Sequence, residues 1–235
     1  TLERIVREVA KGQSGVLQIC SITSDMLDTV PPLLNQLQQL YPHLTVLVDE
    51  IDNVEVLPRL EAGELDLAFV RLDGEVSRGI ETLPLTEDLL AVALPKEHPL
   101  ASRPHVKLRS LGGEKMVMSS RKVSPVYFDM LTAICRSHGF ASRVLHEVRS
   151  VTSQVAYVSC GQGVALVPLA MRKLIPENVI IRPLNEKITV VTAAVAWNAD
   201  RHHPMVGVAV SLLKTWVRNT PPCIAKYNTL QTKEA

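Results

Sequence analysis

The chain has 235 residues, 46% of them hydrophobic and 21% charged, a composition that favours a globular fold with a full buried core. Its 25 basic and 24 acidic side chains give a formal net charge of +1, which gives no reason to expect this chain itself to attract nucleic acids or membranes. No apolar run reaches the roughly 18 residues that cross a bilayer, and the first residues lack a signal peptide's apolar core, so we expect a cytoplasmic protein without membrane contact.

The first third of the chain alternates between strand and helix patterns. Residues 2–9 carry one apolar stripe at helical spacing, and Gly12 would end that helix. Pro58 argues against one of the helices that follow. Because parallel neighbours need a crossover helix, the alternation predicts a parallel α/β unit. We predict strands over 15–22, 44–51 and 65–71, and helices over 33–40 and 55–64.

The same alternation restarts after a turn-rich stretch, and it predicts a second α/β lobe. The long apolar strand at 188–197 fits either sheet, and the tail after Thr220 has no periodic pattern. The predicted strands are 81–85, 89–95, 115–120, 142–148, 163–168, 179–184 and 188–197, and the predicted helices are 124–139, 151–161 and 203–217.

The sequence offers no convincing catalytic or metal-binding motif. Residues 119–122 match S-x-x-K, but the other elements of serine acyl-enzymes are missing. Residues 161–163 (GQG) precede a strand, so they predict a helix stop and a turn, not a dinucleotide site. We therefore predict no catalytic residue, no metal and no cofactor. The four cysteines form no CxxC pair and predict reduced, buried thiols: Cys20, Cys135, Cys160 and Cys223.

Several fragments, in this order, resemble the effector-binding domain of LysR-type transcriptional regulators. They are GVLQI, LLNQLQQLYPHLTVLVDE, LEAGELDLAFVR, LPLTEDLLAVALPKEHPLA, the helix from Ser124 to the GF at 139–140, and GQGVALVP followed by IIRPL. The resemblance covers about residues 1–218. It implies an α/β fold of two Rossmann-like lobes of periplasmic-binding-protein type II, joined by two crossing strands, with the effector held between the lobes.

The resemblance also implies a domain layout and partners. Lobe I would comprise 13–73 and 188–218, lobe II 76–184, with the end of a linker helix at 1–12 and a tail at 219–235. Such regulators begin with a winged helix-turn-helix, so we expect the parent protein to bind DNA through a domain absent from this chain. The chain itself is expected to form a homodimer or homotetramer. Exposed apolar residues of the helix at 33–40 are one candidate packing surface, although the same stripe fits a core role.

Polar residues collect in four loops where strands lead into helices: 23–30, 52–54, 119–124 and 149–153. In open parallel sheets, ligands bind at such carboxyl ends, and helix N-termini favour anions, so we expect a small organic effector, specifically a carboxylate. The resemblance assigns an effector-contacting hydroxyl to Ser24 and places 119–124 on the facing loop. The predicted ligand-binding residues are Thr23, Ser24, Asn53, Arg71, Ser119, Ser120, Arg121, Lys122, Ser124 and Thr152.

Alternatives stay open at this point. Ser24, Asn53, Ser124 and Thr152 are also typical N-cap residues. Asp25 and Asp28 would repel a carboxylate if they face the ligand, and would then select an amine or an amino acid. An extracytoplasmic solute receptor shares the implied fold and, when mature, also lacks a signal peptide. A related enzyme, such as a deaminase or dehydratase, would need a nucleophile and base that the sequence does not show.

Overall fold

The structure of the protein is a computed structural model that describes residues 14–22, 29–71 and 76–219, without the side chains of residues 14, 191 and 192. The predicted helix at 2–9, the tail, and the predicted ligand contacts Thr23 and Ser24 lie outside the described residues, as do Asp25 and Asp28. Over this part of the chain, none of the helices is long and apolar enough to cross a membrane.

The described strands and helices follow the predicted alternation. The strands are β1 (Ser14–Ser21), β2 (His43–Glu50), β3 (Leu67–Val70), β4 (Ile80–Pro95), β5 (Lys115–Ser119), β6 (Arg143–Val148), β7 (Ala165–Pro168), β8 (Val179–Pro183) and β9 (Thr189–Asn198). The α-helices are α1 (Val30–Leu40), α2 (Asn53–Ala62), α3 (Pro125–Ser137), α4 (Val151–Ser159) and α5 (Pro204–Asn219). Short 3₁₀ helices that the sequence patterns did not predict lie at Pro99–Ser102, Leu108–Leu111 and Leu169–Leu174.

The chain divides into two compact units. Unit 1 holds the described residues up to Thr86 and those from Ala193 onward, and unit 2 holds Glu87–Thr192. The changes from one unit to the other therefore fall inside β4 and β9. The lobe limits predicted from the sequence fall before these strands, so residues 76–86 group with unit 1 and residues 188–192 with unit 2.

Unit 1 contains the predicted parallel sheet. β1 pairs in parallel with β2 on one side and with β3 on the other, and β9 adds antiparallel to β3. One face of the sheet packs against α1 and α5 through buried residues such as Leu17 and Leu37. The other face packs against α2 through Val56 and Leu60. Because both faces are covered, all four residues of β3 are apolar and buried.

The ends of α2 show how local sequence sets the fold. Pro58 lies inside the helix but on its exposed face, where water can hydrate the carbonyl that lost its N–H partner. Gly63 ends the helix in the left-handed conformation, with φ +73°. Its N–H donates to the carbonyl of Leu60, and the N–H of Glu64 donates to the carbonyl of Arg59, both in the last turn of the helix. The guanidinium of Arg201 lies directly over Gly63, where a Cβ would stand 1.1 Å from Nη1.

Unit 2 combines a parallel pair with an antiparallel group. β5 and β6 pair in parallel, joined by α3, and β5 also bridges to Val164 just before β7. β7 and β8 each pair antiparallel with β4. The GQG turn between α4 and β7 confirms its predicted role: Gly161 has φ +69°, and a Cβ on Gly163 would stand 2.3 Å from the carbonyl oxygen of Lys115.

Two sequence predictions need correction here. The segments 81–85 and 89–95 form one continuous strand, because the carboxylate of Asp88 is buried and accepts hydrogen bonds from the N–H groups of Leu89 and Ala170. Cys160 is exposed, since it caps the end of α4, whereas Cys20 and Cys135 are buried. Burial raises the pKa of Cys20 to about 12 and that of Cys135 to about 11, which keeps both protonated and unreactive.

Replacing Gly63 with alanine should lower the free energy of unfolding by about 1 to 2 kcal/mol, because an L-residue is strained at this positive φ. The matched control is Gly207→Ala in the interior of α5, where an added Cβ meets nothing within 4 Å. That substitution should raise the stability by about 0.5 to 1 kcal/mol. Urea unfolding of both variants measures the difference, and equal effects of the two would contradict this account.

Candidate functional site

Each unit has its own candidate ligand-binding loops, which lie at the carboxyl ends of its parallel strands. In unit 2, the loop 119–124 connects β5 to α3, and the loop 149–150 connects β6 to α4. In unit 1, the turn 51–52 connects β2 to α2, and Arg71 follows the last residue of β3. Each unit thus presents helix N-termini and polar residues at the ends of its parallel strands, as the sequence predicted.

Ser119 is buried and joins a strand to a helix. Its hydroxyl donates to Oε1 of Gln154 at 3.2 Å, and Nε2 of Gln154 donates to the carbonyl of Val117 at 2.9 Å. Gln154 is fully buried, so both ends of its amide depend on these partners. Ser119 therefore fixes α4 against β5, a structural role that competes with ligand contact.

Ser120 lies at the surface of the same loop and binds a carboxylate of the chain itself. Its hydroxyl donates to Oε2 of Glu147 at 2.8 Å, and the backbone N–H of Arg121 donates to the same oxygen at 3.0 Å. The N–H of Lys122 in turn donates to the Ser120 hydroxyl at 3.2 Å. The loop can therefore bind a carboxylate oxygen, and Glu147 occupies this position.

The charge of Arg121 is engaged by a neighbouring acid. Its Nε and Nη2 donate to the two carboxylate oxygens of Asp129 at 2.9 and 2.8 Å. These hydrogen bonds lower the pKa of Asp129 and raise that of Arg121. Lys122 is exposed, and its ammonium has no ion pair among the described residues. Within this loop, Lys122 is thus the charge left to attract an anion.

The helix caps differ from the sequence expectation. Ser124 occupies the predicted N-cap position of α3, although its side chain makes no capping hydrogen bond. The N-cap of α4 is Ser150, whose hydroxyl accepts from the N–H of Ser153 at 3.1 Å, so the capping interpretation of Thr152 was wrong by two positions. Thr152 is half-buried in the first turn of α4.

In unit 1, the side chain of Asn53 joins the start of α2 to the end of β3. Its Oδ1 accepts the backbone N–H of Arg71 at 3.0 Å, and its Nδ2 donates to the carbonyl of Arg71 at 3.1 Å. The N-cap of α2 is Asp52, so Asn53 does not have the capping role that the sequence also allowed. Arg71 is only 8% exposed, and its backbone is held on both sides by one amide.

Sequence reasoning missed three residues that organise this site: Ser150, Glu147 and Gln154. Ser150 directly precedes a helical pattern, which is a recognisable capping signal. Glu147 gave no signal, because its partners depend on how β5 and β6 pair, and that pairing contains an irregularity between Met116 and Val117. Gln154 gave none, because its partners depend on how α4 packs against β5.

Comparison with known proteins identifies relatives of one kind. The family described as LysR substrate binding domain matches residues 10–218. The regulator "HTH-type transcriptional regulator TtuA" of Agrobacterium vitis is 28% identical over 184 residues, which are 78% of this chain and 60% of that protein. The chain therefore spans about three fifths of the length of such a relative.

Solved structures agree. The C-terminal domain of a probable LysR family regulator from Rhodococcus sp. RHA1 has a TM-score of 0.73 at 25% identity, covering 86% of this chain and 99% of that one. The effector-binding domain of BenM, solved with its effector benzoate, has a TM-score of 0.73 at 22% identity, covering 91% and 93%. These likenesses confirm the predicted fold class, the type II periplasmic-binding-protein fold.

Replacing Ser119 with alanine should lower the free energy of unfolding by about 1 to 3 kcal/mol, because a buried oxygen of Gln154 loses its donor. The matched control is Ser120→Ala, which removes an exposed hydrogen bond and should change stability by no more than about 0.5 kcal/mol. Thermal or urea unfolding distinguishes the two residues. A larger loss for Ser120→Ala would contradict the assignment of Ser119 as the structural hydroxyl.

Proposed function

The chain belongs to the LysR substrate-binding-domain family, and we propose that it is the effector-binding and oligomerising part of a bacterial transcription regulator whose effector is a small organic carboxylate. Its relatives are transcriptional regulators, not enzymes or solute receptors. The chain would bind its effector without converting it. Effector binding would then change DNA binding and transcription by the whole regulator.

The burial of Arg71 at the end of β3 is the observation that supports the assignment of a carboxylate effector. A guanidinium matches both oxygens of a carboxylate, and such a pair is strongest where water is excluded. Arg71 is buried and follows β3, at the carboxyl end of a parallel strand where ligands bind in open α/β sheets. The hydrogen bonds from Asn53 fix the backbone of Arg71, which limits the positions that its side chain can reach.

The loop 119–124 is better suited to polar contacts with the effector than to recognition of its carboxylate. Glu147 accepts from the backbone N–H of Arg121 and Asp129 pairs with its guanidinium, so the charge of Arg121 is offset within the chain. We assign recognition of the effector's carboxylate to Arg71, and polar contacts to Ser120, Ser124 and Thr152. The predicted contacts Thr23, Ser24, Ser119 and Lys122 remain part of the proposal.

The rest of the regulator is also a proposal. TtuA is an HTH-type regulator and this chain spans 60% of it, which supports a DNA-binding domain outside the chain and a cytoplasmic location. A homodimer or homotetramer is supported by exposed apolar side chains, with Leu40 at 58% and Leu47 at 45% exposure in unit 1. Leu33 and Leu37 of the same helix are buried, so the core interpretation holds for them.

A thermal-shift screen of small mono- and dicarboxylates, each beside its neutral amide, tests the assignment to Arg71. At about 100 times its Kd, a bound carboxylate should raise the Tm by about 5 to 10 °C. Arg71→Gln should abolish that shift and Lys122→Gln should weaken it only slightly. Equal shifts from acid and amide, or an undiminished shift in Arg71→Gln, would contradict the carboxylate site.

Sedimentation velocity over a range of concentrations tests oligomerisation. The account predicts species heavier than the 25.9 kDa protomer, because exposed leucines gain from burial. Leu40→Glu should shift the equilibrium toward the protomer, whereas Val54→Glu, the same apolar-to-charged change at another exposed residue, should not. A single 25.9 kDa species at every concentration would rule the proposal out.

A further inference from the structure

Unit 1 contains a groove of about 640 Å³ that the proposed effector site does not use. It lies between α5 from Pro204 to Lys214, the end of β9 and the start of β4, and we call it the α5 groove. The residues that define it are Glu81, Trp197, Arg201, Val206, Gly207 and Lys214. Its volume is within the range of about 300 to 1,000 Å³ typical of small-molecule sites.

The α5 groove lies at the opposite end of the sheet from Arg71. β9 runs antiparallel to β3, with Val70 opposite Ala194 and Ala68 opposite Ala196. Trp197 therefore lies beside the amino end of β3, whereas Arg71 follows its carboxyl end. A ligand in the α5 groove would not occupy the candidate effector site.

Trp197 and Val206 form the apolar part of the α5 groove, which we call its floor. Trp197 is half-buried and packs with the unit 1 core, as does the buried Val206 from α5. His203 also lines the groove, beside Trp197 and Val206. Its Nδ1 accepts from the N–H of Met205 at 3.3 Å, and its Nε2 contacts the carbonyl of Val16 at 3.1 Å. These two contacts hold the ring of His203 in the wall of the α5 groove.

Gly207 is not explained by packing within the described residues. It lies in the interior of α5, where glycine costs about 0.5 to 1 kcal/mol relative to alanine. A Cβ at this position would meet no atom within 4 Å, so no neighbour requires its absence. The missing side chain leaves the helix backbone open to whatever enters the α5 groove.

The charges at the rim favour an anion. Lys214 and Arg201 line the groove together with one acid, Glu81, and none of the three has an ion pair in the described part of the chain. The guanidinium of Arg201 lies over Gly63 at the C-terminus of α2, where the helix dipole favours a cation. Lys214 is exposed one helical turn from Val210, so its ammonium is the cation available beside the apolar floor.

From these observations we propose that the α5 groove is a second small-molecule site, one that binds an aromatic carboxylate. The ring would stack on Trp197 and contact Val206, and the carboxylate would pair with Lys214. Gly207 would allow the ring to approach the helix. An aliphatic acid would lose the stacking energy, about 0.5 to 1.5 kcal/mol for an aromatic pair, and an aromatic amine would be opposed by Lys214.

NMR of the indole N–H groups tests this site in the intact chain. The chain has two tryptophans, Trp197 and Trp216, and a Trp216→Phe variant assigns the two signals. Titration with 2-naphthoate should move the Trp197 signal saturably and leave the Trp216 signal nearly unchanged. The neutral 2-naphthamide should bind about fivefold more weakly, which is the effect of one exposed charge pair.

Matched variants of α5 complete the test. Lys214→Gln should weaken 2-naphthoate binding about fivefold, whereas Arg218→Gln, which removes a charge outside the α5 groove, should not. Gly207→Met should block binding while the Tm stays equal to or above that of the parent chain. Linear, unsaturable shifts, or shifts of Trp197 that survive both Lys214→Gln and Gly207→Met, would overturn the proposal.

A further variant separates this site from the proposed effector site. Arg71→Gln should leave the 2-naphthoate titration of Trp197 unchanged, because Arg71 follows the other end of β3. Loss of the Trp197 response in Arg71→Gln would show that the signal comes from the effector site, and the second site would then be rejected. A normal Trp197 response in a chain that fails the carboxylate screen would reject the effector assignment alone.

Discussion

Parallel strand pairing is the constraint on which the rest of this structure depends. β1 with β2 and β3, and β5 with β6, each need a crossover helix, and each of these helices begins at the carboxyl end of a strand. The buried faces between them are filled by apolar residues, so polar residues collect in the loops. Asn53 in unit 1 and Ser119 in unit 2 then join a strand end to a helix start.

The placement of charge follows from this arrangement. The guanidinium of Arg121 is exposed and paired with Asp129. Arg71 is buried, and its backbone is held by the amide of Asn53. A buried cation interacts with an incoming carboxylate far more strongly than an exposed one, because water screens it less. Burial, and not the number of basic residues in a loop, therefore identifies the residue that we expect to recognise the effector.

Periodicity in the sequence predicted the described helices and most strands, because their apolar faces are set by local spacing. It left the partner of β9 open, since a strand apolar on both faces fits any sheet, and the structure pairs it antiparallel with β3. The sequence patterns predicted two strands where β4 is continuous. The carboxylate of Asp88 is buried inside β4, and the N–H of Ala170, which donates to it, comes from a distant part of the sequence. The sequence offered Arg71 as a candidate by its position at the end of a predicted strand, but its burial could not be inferred from residue order.

The α5 groove also could not be predicted from the sequence. Trp197, Gly207 and Lys214 each have an ordinary interpretation in the sequence, and their association depends on how α5 packs beside β9. Gly207 is the informative member, because it weakens a helix without relieving any contact among the described residues. Two sites at opposite ends of one sheet would allow unit 1 to respond to two different acids.

Mapping of backbone amide shifts on adding the carboxylate found by thermal shift tests the central claim most directly. The account predicts saturable changes at Arg71 and Asn53, and their loss in Arg71→Gln. Saturable changes confined to other residues, with Arg71 and Asn53 unmoved, would contradict it.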